Sequence, residues 1–245
     1  MQSAPPPSEN SKGWVRTFVA SMPEGYASKH TDEEVRAHAF AAHRRGAARL
    51  YAEFCPGPIH AERVQWICMV TDDAPGLLSK LSAAIAAHSL EIISARVYSR
   101  TRPARADEAV DLFAVRRMKR FDVELTNSDL ASVCRSAESL IAGETDVNAL
   151  ARHSADTARP MLAPPPAAYF DQVNPHLLIV ETADRPGLLL ALTLTIFGEK
   201  MSIVRSHVTT LAGIARDQFE LAELDGNPLG EPRRHAILEK ILKVL

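Results

Sequence analysis

Cysteine, charge of one sign, long apolar runs and catalytic signatures are all scarce in this 245-residue sequence. Each scarcity removes a class of protein. Cys55, Cys68 and Cys134 lie far apart and are odd in number, which excludes a disulfide framework. Cys68 sits in an apolar run and Cys134 on an apolar helical stripe, so buried thiols are the plain reading. Lys and Arg total 28 against 30 Asp and Glu, a net charge of -2. That balance leaves no electrostatic footprint for nucleic acid or an anionic membrane. No apolar run approaches the roughly 18 residues of a spanning helix. The first residues, MQSAPPPSENSKGW, hold no apolar stretch of the kind a signal peptide needs, so the expected location is cytoplasmic. The nine histidines include no His-x₃-His pair, and His38 and His43 stand five apart without a Cys or His cluster around them. No metal site and no cofactor are expected. A Gly-x-Ser-x-Gly nucleophile elbow is also missing. Arg100, Arg102 and Arg105 cluster without interleaved aromatics, as in a solvated loop.

What is present is an internal repeat. Residues 67–78 read ICMVTDDAPGLL and residues 178–189 read LIVETADRPGLL. The offset is 187 − 76 = 111, which also pairs Leu81 with Leu192, Ile85 with Ile196, Ile92 with Ile203 and Val97 with Val208. Beyond these the register shifts by five: Asp111-Leu112-Phe113 matches Asp217-Gln218-Phe219 at 217 − 111 = 106. The first copy therefore carries a longer connection, and insertions of that kind belong in surface loops.

Each copy reads as strand, Asp-x-Pro-Gly turn, helix, strand, strand, helix. In the second strand Ile93, Ala95 and Val97 are expected on one face and Ser94, Arg96 and Tyr98 on the other. Val204, Ser206 and Val208 alternate in the same way with Arg205, His207 and Thr209. A four-stranded unit needs one more strand. No strand pattern follows the last helix, but RLYAEF (49–54) and AAYFD (167–171) precede the first strand of their copies and can form hairpins with them. The expected fold is α+β: two ferredoxin-like ββαββα units in tandem, each a four-stranded antiparallel sheet with both helices on one face. The expected units are 49–145 and 167–245. The linker 146–166 ends in Pro160 and Pro164–Pro166 and reads as extended. Residues 1–48 read as a disordered tail through about residue 11 and a helical arm on the first unit. Thr31-Asp32-Glu33-Glu34 has the form of a capping box opening the arm's second helix.

The two turns are the candidate ligand sites, through Asp73, Ala74, Gly76 and Leu77 in the first copy and Asp184, Arg185, Gly187 and Leu188 in the second. A helix begins just after each turn, so free N–H groups and the positive helix end are available to a carboxylate. Glycine lets a ligand or a neighbouring strand approach the backbone closely. Asp73 or Asp184 either holds an ammonium group or caps the helix. The alternative reading makes Asp-x-Pro-Gly simply a good strand-to-helix turn. Ser94 and Arg205 on the facing strands are either ligand contacts or solvated and interface residues. Arg185, where the first copy has Ala74, can pair with a ligand carboxylate or with Asp184.

The turn with its helix, followed by Ile-x-Ser-Ala-Arg-Val and Asp-x-Phe, resembles the ACT domain, a small amino-acid-sensing unit. The tandem form resembles the C-terminal ACT pair of the bifunctional uridylyltransferase/uridylyl-removing enzymes, which modify the PII nitrogen-signalling protein. Tyr169-Phe170-Asp171, ADRPGLL, the terminal helix and the arm MPEGYASKHTDEEVRAHAFAAHRR carry this closer match, over roughly residues 13–245. In that family catalysis belongs to a nucleotidyltransferase domain and a metal-dependent HD domain. The present sequence contains no Gly-Ser followed by Asp-x-Asp and no His-Asp dipeptide. The resemblance implies a regulatory, non-enzymatic module binding glutamine or another amino acid tied to nitrogen status. Binding would fall where two units meet, within one chain or across a homodimer, and the signal would pass to a protein partner. The alternatives are a stand-alone two-ACT accessory protein of a transcription regulator and a non-binding interaction module.

Overall fold

The apolar run that opens each repeat ends at an Asp-x-Pro-Gly turn because the glycine there takes a conformation other residues avoid. In the computed structural model, which describes residues 9–59, 63–103, 105–118, 123–147 and 165–245, Gly76 and Gly187 both have φ of 78° and cap the helix that follows. In the first copy the order is β1 (Leu50–Cys55), β2 (Gln65–Asp72), α3 (Leu77–Ala87), β3 (Leu90–Arg100), β4 (Glu108–Arg117) and α4 (Asn127–Ala142). In the second it is β5 (Ala167–Phe170), β6 (Leu177–Ala183), α5 (Leu188–Gly198), β7 (Met201–Leu211), β8 (Ile214–Glu223) and α6 (Glu231–Val244). The pattern is ββαββα twice. Both added segments form the expected hairpins: Leu50 pairs with Thr71 and Cys55 with Trp66, while Ala167 pairs with Glu181 and Phe170 with Leu178. The start of the tail (1–8) and most of the expected linker (148–164) lie outside the described residues. Residues 9–11, expected with the tail, already belong to α1 (Glu9–Ser21).

The two expected sheets are one. The strands run β1-β2-β4-β3-β7-β8-β6-β5 in a single antiparallel sheet. The join is between β3 and β7, where Ser94 to Val97 pair with Thr209 to Ser206. In this register Arg96 faces His207, and 207 − 96 = 111, the repeat offset, so each is opposite its own counterpart. An approximate two-fold axis therefore passes between them. The physical reason for fusion is the edge: each unit alone would expose an eleven-residue strand with unpaired backbone groups. Both strands also carry a bulge, between Ile92 and Ser94 and between Ile203 and Arg205. The extra residue breaks strict alternation. Ile93 joins the cluster containing Tyr98 and leaves the one holding Ala95 and Val97, while Val204 is 39% exposed.

Helices α3, α4, α5 and α6 cover one face, with α3 beside α5 across the join. One apolar core spans both repeats and includes Leu81, Ile85, Phe113, Val133, Leu192, Ile196, Phe219 and Ile237. The opposite face of the first copy is covered by α1, by α2 (Asp32–Arg45) and by the turn between them, which bury Phe18, Val35, Ala39 and the turn residue Tyr26 against Trp66, Cys68, Val70 and Leu112. The Thr31–Glu34 capping box is formed reciprocally. The same face of the second copy carries the ion pairs Arg205–Glu220 and Arg216–Glu181, which suit it to water.

Two polar clusters fix the arm. Arg45 donates to Glu108 at 2.6 Å and to Asp72 at 2.7 Å, and Arg100 and Arg102 hold the same buried Glu108. Beside it, the Tyr26 hydroxyl lies 2.7 Å from Nδ1 of His38, and Tyr98 lies 3.0 Å from Nε2 of His30. Burial, followed by the charges of His30 and Arg96, lowers the His38 pKa from 6.5 to about 3. His38 thus stays neutral when folded and takes up a proton on unfolding. Its contribution is present above 6.5 and is lost as pH falls toward 3. Acid is expected to release the arm before the sheet melts, seen as a change in Trp14 emission ahead of far-UV circular dichroism. Tyr26→Phe, which leaves the buried Nδ1 of His38 without its partner at a cost of about 1–3 kcal/mol, is expected to raise the pH of that release. Simultaneous loss of both signals, unmoved by the substitution, would contradict this account.

Candidate functional site

The join sets each Asp-x-Pro-Gly loop against the other repeat. In the first cleft, Asp73, Ala74, Gly76 and Leu77 face Thr193, Ile196 and Phe197 of α5 and the start of β7. In the second, Asp184, Arg185, Gly187 and Leu188 face Ser82 and Ala86 of α3 and the start of β3. The clefts enclose about 480 Å³ and 460 Å³, open mouths included. The opposing residues obey the repeat offset, since 193 − 82 and 197 − 86 both equal 111. The clefts are thus two versions of one site.

Eight of the ten residues expected from sequence line these clefts, and the structure gathers them as two sets of four. Ser94 and Arg205 stand elsewhere. Ser94 donates its hydroxyl proton to the Val208 carbonyl at 2.7 Å, stitching β3 to β7. Arg205 pairs with Glu220 at 3.1 Å on the sheet face away from the four covering helices. Arg185 donates to the Val244 carbonyl at 2.6 Å, which ties the second loop to the end of α6.

Two residues that sequence reasoning passed over lie at the floors of the clefts. Asp111 lines the first and Asp217 the second, each 1% exposed. By strict geometry no hydrogen bond reaches either oxygen of Asp111 or Oδ1 of Asp217, although the backbone N–H groups of Tyr98 and Thr209 come near enough to favour the ionised forms. Burial, then the nearby Asp73 charge, pushes the Asp111 carboxyl well above the usual range. Burial, then Asp184, raises Asp217 from 3.8 to about 8. Asp184 is itself raised, chiefly by burial. The signal was available in the sequence. Asp111 sits inside AVDLFAV, two residues from Phe113, and strand periodicity puts both on the core side. An acid at a core-facing position, repeated in the second copy as Asp217-Gln218-Phe219, is a functional signal because an unpaired buried carboxyl is costly.

Each cleft therefore sets a helix N-terminus, which attracts an anion, near a buried carboxyl with at least one unpartnered oxygen, which attracts a cation. The pair is complementary to a small zwitterion. Among the described residues no group of three or more His, Cys, Asp or Glu side chains is placed to hold a metal ion, and no helix is long and apolar enough to cross a membrane.

Fold and clefts together define an α+β protein of two ββαββα units sharing one sheet, with paired clefts where the units meet. Among known proteins the chain is similar to bifunctional uridylyltransferase/uridylyl-removing enzymes. It is 29% identical over 232 residues to that of Phenylobacterium zucineum, covering 92% of this chain and 24% of that protein. The corresponding enzyme of Caulobacter vibrioides is 28% identical over 232 residues, covering 91% and 23%. That of Nitrobacter winogradskyi is 27% identical over 186 residues, covering 74% and 20%. The chain spans about a quarter or less of the length of these curated relatives. No family model matches it.

The floor carboxyls make a pH signature. Asp217 is protonated in the folded chain and ionises on unfolding, so the folded state binds more protons between 3.8 and about 8. Its stabilisation is fully present at the acid end of that window and is lost as pH rises toward 8. The melting temperature should fall over the alkaline half of the window, and Asp217→Asn should flatten the fall. An unchanged slope in Asp217→Asn would show that this carboxyl is not held neutral.

Proposed function

We propose that this chain is a regulatory module of the tandem ACT type, binding a small amino acid at the seam between its repeats and passing that signal to a protein partner. The observation that carries the reading is the buried Asp217, whose Oδ1 lacks a hydrogen-bond partner, lining the same cleft as the N-terminus of α5. An α-amino acid satisfies both at once. Its carboxylate meets the free N–H groups of the first helical turn, and its ammonium meets the carboxyl, which ionises on contact. Asp73 and Asp184 add a second acid to each cleft.

The similarity to uridylyltransferase/uridylyl-removing enzymes supports a role in regulation rather than chemistry of its own, because the motifs for nucleotidyl transfer and for an HD metal site do not occur in this sequence. Glutamine is the first ligand to test, given the nitrogen-signalling role of the family the sequence resembles. A cytoplasmic location and a homodimer belong to the same proposal.

Thermal melting with each of the twenty amino acids at millimolar concentration tests this directly. A ligand that binds only the folded chain stabilises it by about 2.7 kcal/mol at a hundredfold excess over Kd. At least one amino acid is expected to raise the melting temperature, and Asp217→Asn is expected to shrink that increment while leaving the free protein folded. If no amino acid shifts the melting point and calorimetry agrees, the sensing reading fails and the repeats serve as an interaction module.

A further inference from the structure

We propose that the two clefts have diverged: the cleft at the second Asp-x-Pro-Gly loop takes the amino acid, and the cleft at the first is closed by the chain's own Phe197. This rests on the amino-acid reading above and deepens it, giving one ligand per chain where the repeat suggests two. The ligand class is an α-amino acid with a polar side chain.

Closure of the first cleft follows from what Phe197 touches. A Cβ built on Gly76 would lie 2.8 Å from both Cδ2 and Cε2 of the Phe197 ring, so the ring is packed against the Gly76 backbone itself. Gly76 caps α3; the Leu77 N–H donates to the Ala74 carbonyl, and the free N–H groups of the first turn follow it. The phenyl ring thus occupies the approach that a ligand carboxylate would use. Phe197 is 41% exposed, so the core does not hold it there for burial. Its counterpart at the second cleft is Ala86, a methyl group in place of a ring.

The hydroxyls of the two clefts differ in the same direction. In the first cleft the Thr193 hydroxyl donates to the Leu189 carbonyl at 2.9 Å and needs nothing more. Its counterpart in the second, Ser82, is buried with its hydroxyl unpartnered. Both clefts hold carboxyl oxygens without a partner, on Asp111 and on Asp217, and only the second adds an unsatisfied hydroxyl; Ser82 and Asp217 are each at least nine-tenths buried. A buried polar group without a partner is costly, and a ligand supplying both partners relieves that cost. Glu91 and Arg185 line this cleft where the first has Ser202 and Ala74. Glu91 is paired with Arg116 and Arg185 with the Val244 carbonyl, and these polar groups at the rim favour a polar side chain on the ligand.

The test uses the full chain labelled for NMR, as wild type, Phe197→Ala and Ala86→Phe, with an equimolar millimolar mixture of the twenty amino acids as probe. In the wild type, the amides of Gly187 to Leu190 are expected to shift and those of Gly76 to Ser79 to stay. Phe197→Ala should make both loops respond, and Ala86→Phe should silence the second. A first loop that responds in the wild type as strongly as the second overturns the proposal, as does a Phe197→Ala chain whose first loop stays silent while the second responds. If no amide moves in any of the three chains, the amino-acid reading itself fails. The plug is then judged without ligand, from the carboxyl carbon titrations of Asp111 and Asp217. Phe197→Ala should admit water over Asp111 and bring its titration toward the ordinary carboxylate range, leaving Asp217 unmoved. An unmoved Asp111 removes the plug as well. Because the ring is partly exposed, Phe197→Ala is expected to melt near the wild-type temperature, which is checked in the same samples.

Discussion

The backbone pairing of β3 with β7 is the contact on which the rest depends. It joins two four-stranded units into one sheet, brings α3 beside α5, and lets a single apolar core run through both repeats. It also creates the clefts, because each loop finds its opposite wall only in the other repeat. Pairing the two exposed edges satisfies backbone groups that each unit would otherwise leave open. Ser94 reinforces the contact through its bond to Val208. The approximate two-fold symmetry is a consequence of the register, in which Arg96 meets its own counterpart His207.

The symmetry is broken on both faces. On the side away from the four covering helices the arm buries half the sheet under Phe18, Tyr26 and Val35, while the other half stays wet under Arg–Glu pairs. Arg45 anchors the arm to Asp72 and Glu108, and Asp72 is next in sequence to Asp73 of the first loop. The arm is thus linked to the strand that leads into the first cleft through charge-assisted hydrogen bonds. On the helix side the difference is chemical: Phe197 against Ala86, and Ala74 against Arg185. A duplicated unit that keeps its fold but changes these few side chains can keep one copy for binding and the other for packing.

Much was legible in the sequence, and for identifiable reasons. The repeated Asp-x-Pro-Gly placed two helix starts because proline and a left-handed glycine do so by local geometry. The hairpin segments ahead of each first strand followed from counting strands, and the capping box at Thr31 from hydrogen bonds within four residues. Ser94 was drawn into the candidate site because strand alternation cannot say what lies across an edge, and Arg205 because alternation assigns it a face without saying which face meets the clefts. Asp111 and Asp217 were passed over although their repetition on a core-facing position was readable.

The sequence by itself therefore determined the order and type of the elements, the duplication and the two loops, all of which depend on periodicity and turn chemistry over short spans. Only the tertiary structure decided that the two sheets are one, that each loop faces the other copy, and that a buried carboxyl with at least one unpartnered oxygen lies beneath each. Those outcomes depend on which edges pair and on what side chains 111 positions apart bring to a shared wall. Edge pairing is a competition between surfaces distant in the chain, and no local pattern of residues encodes its result.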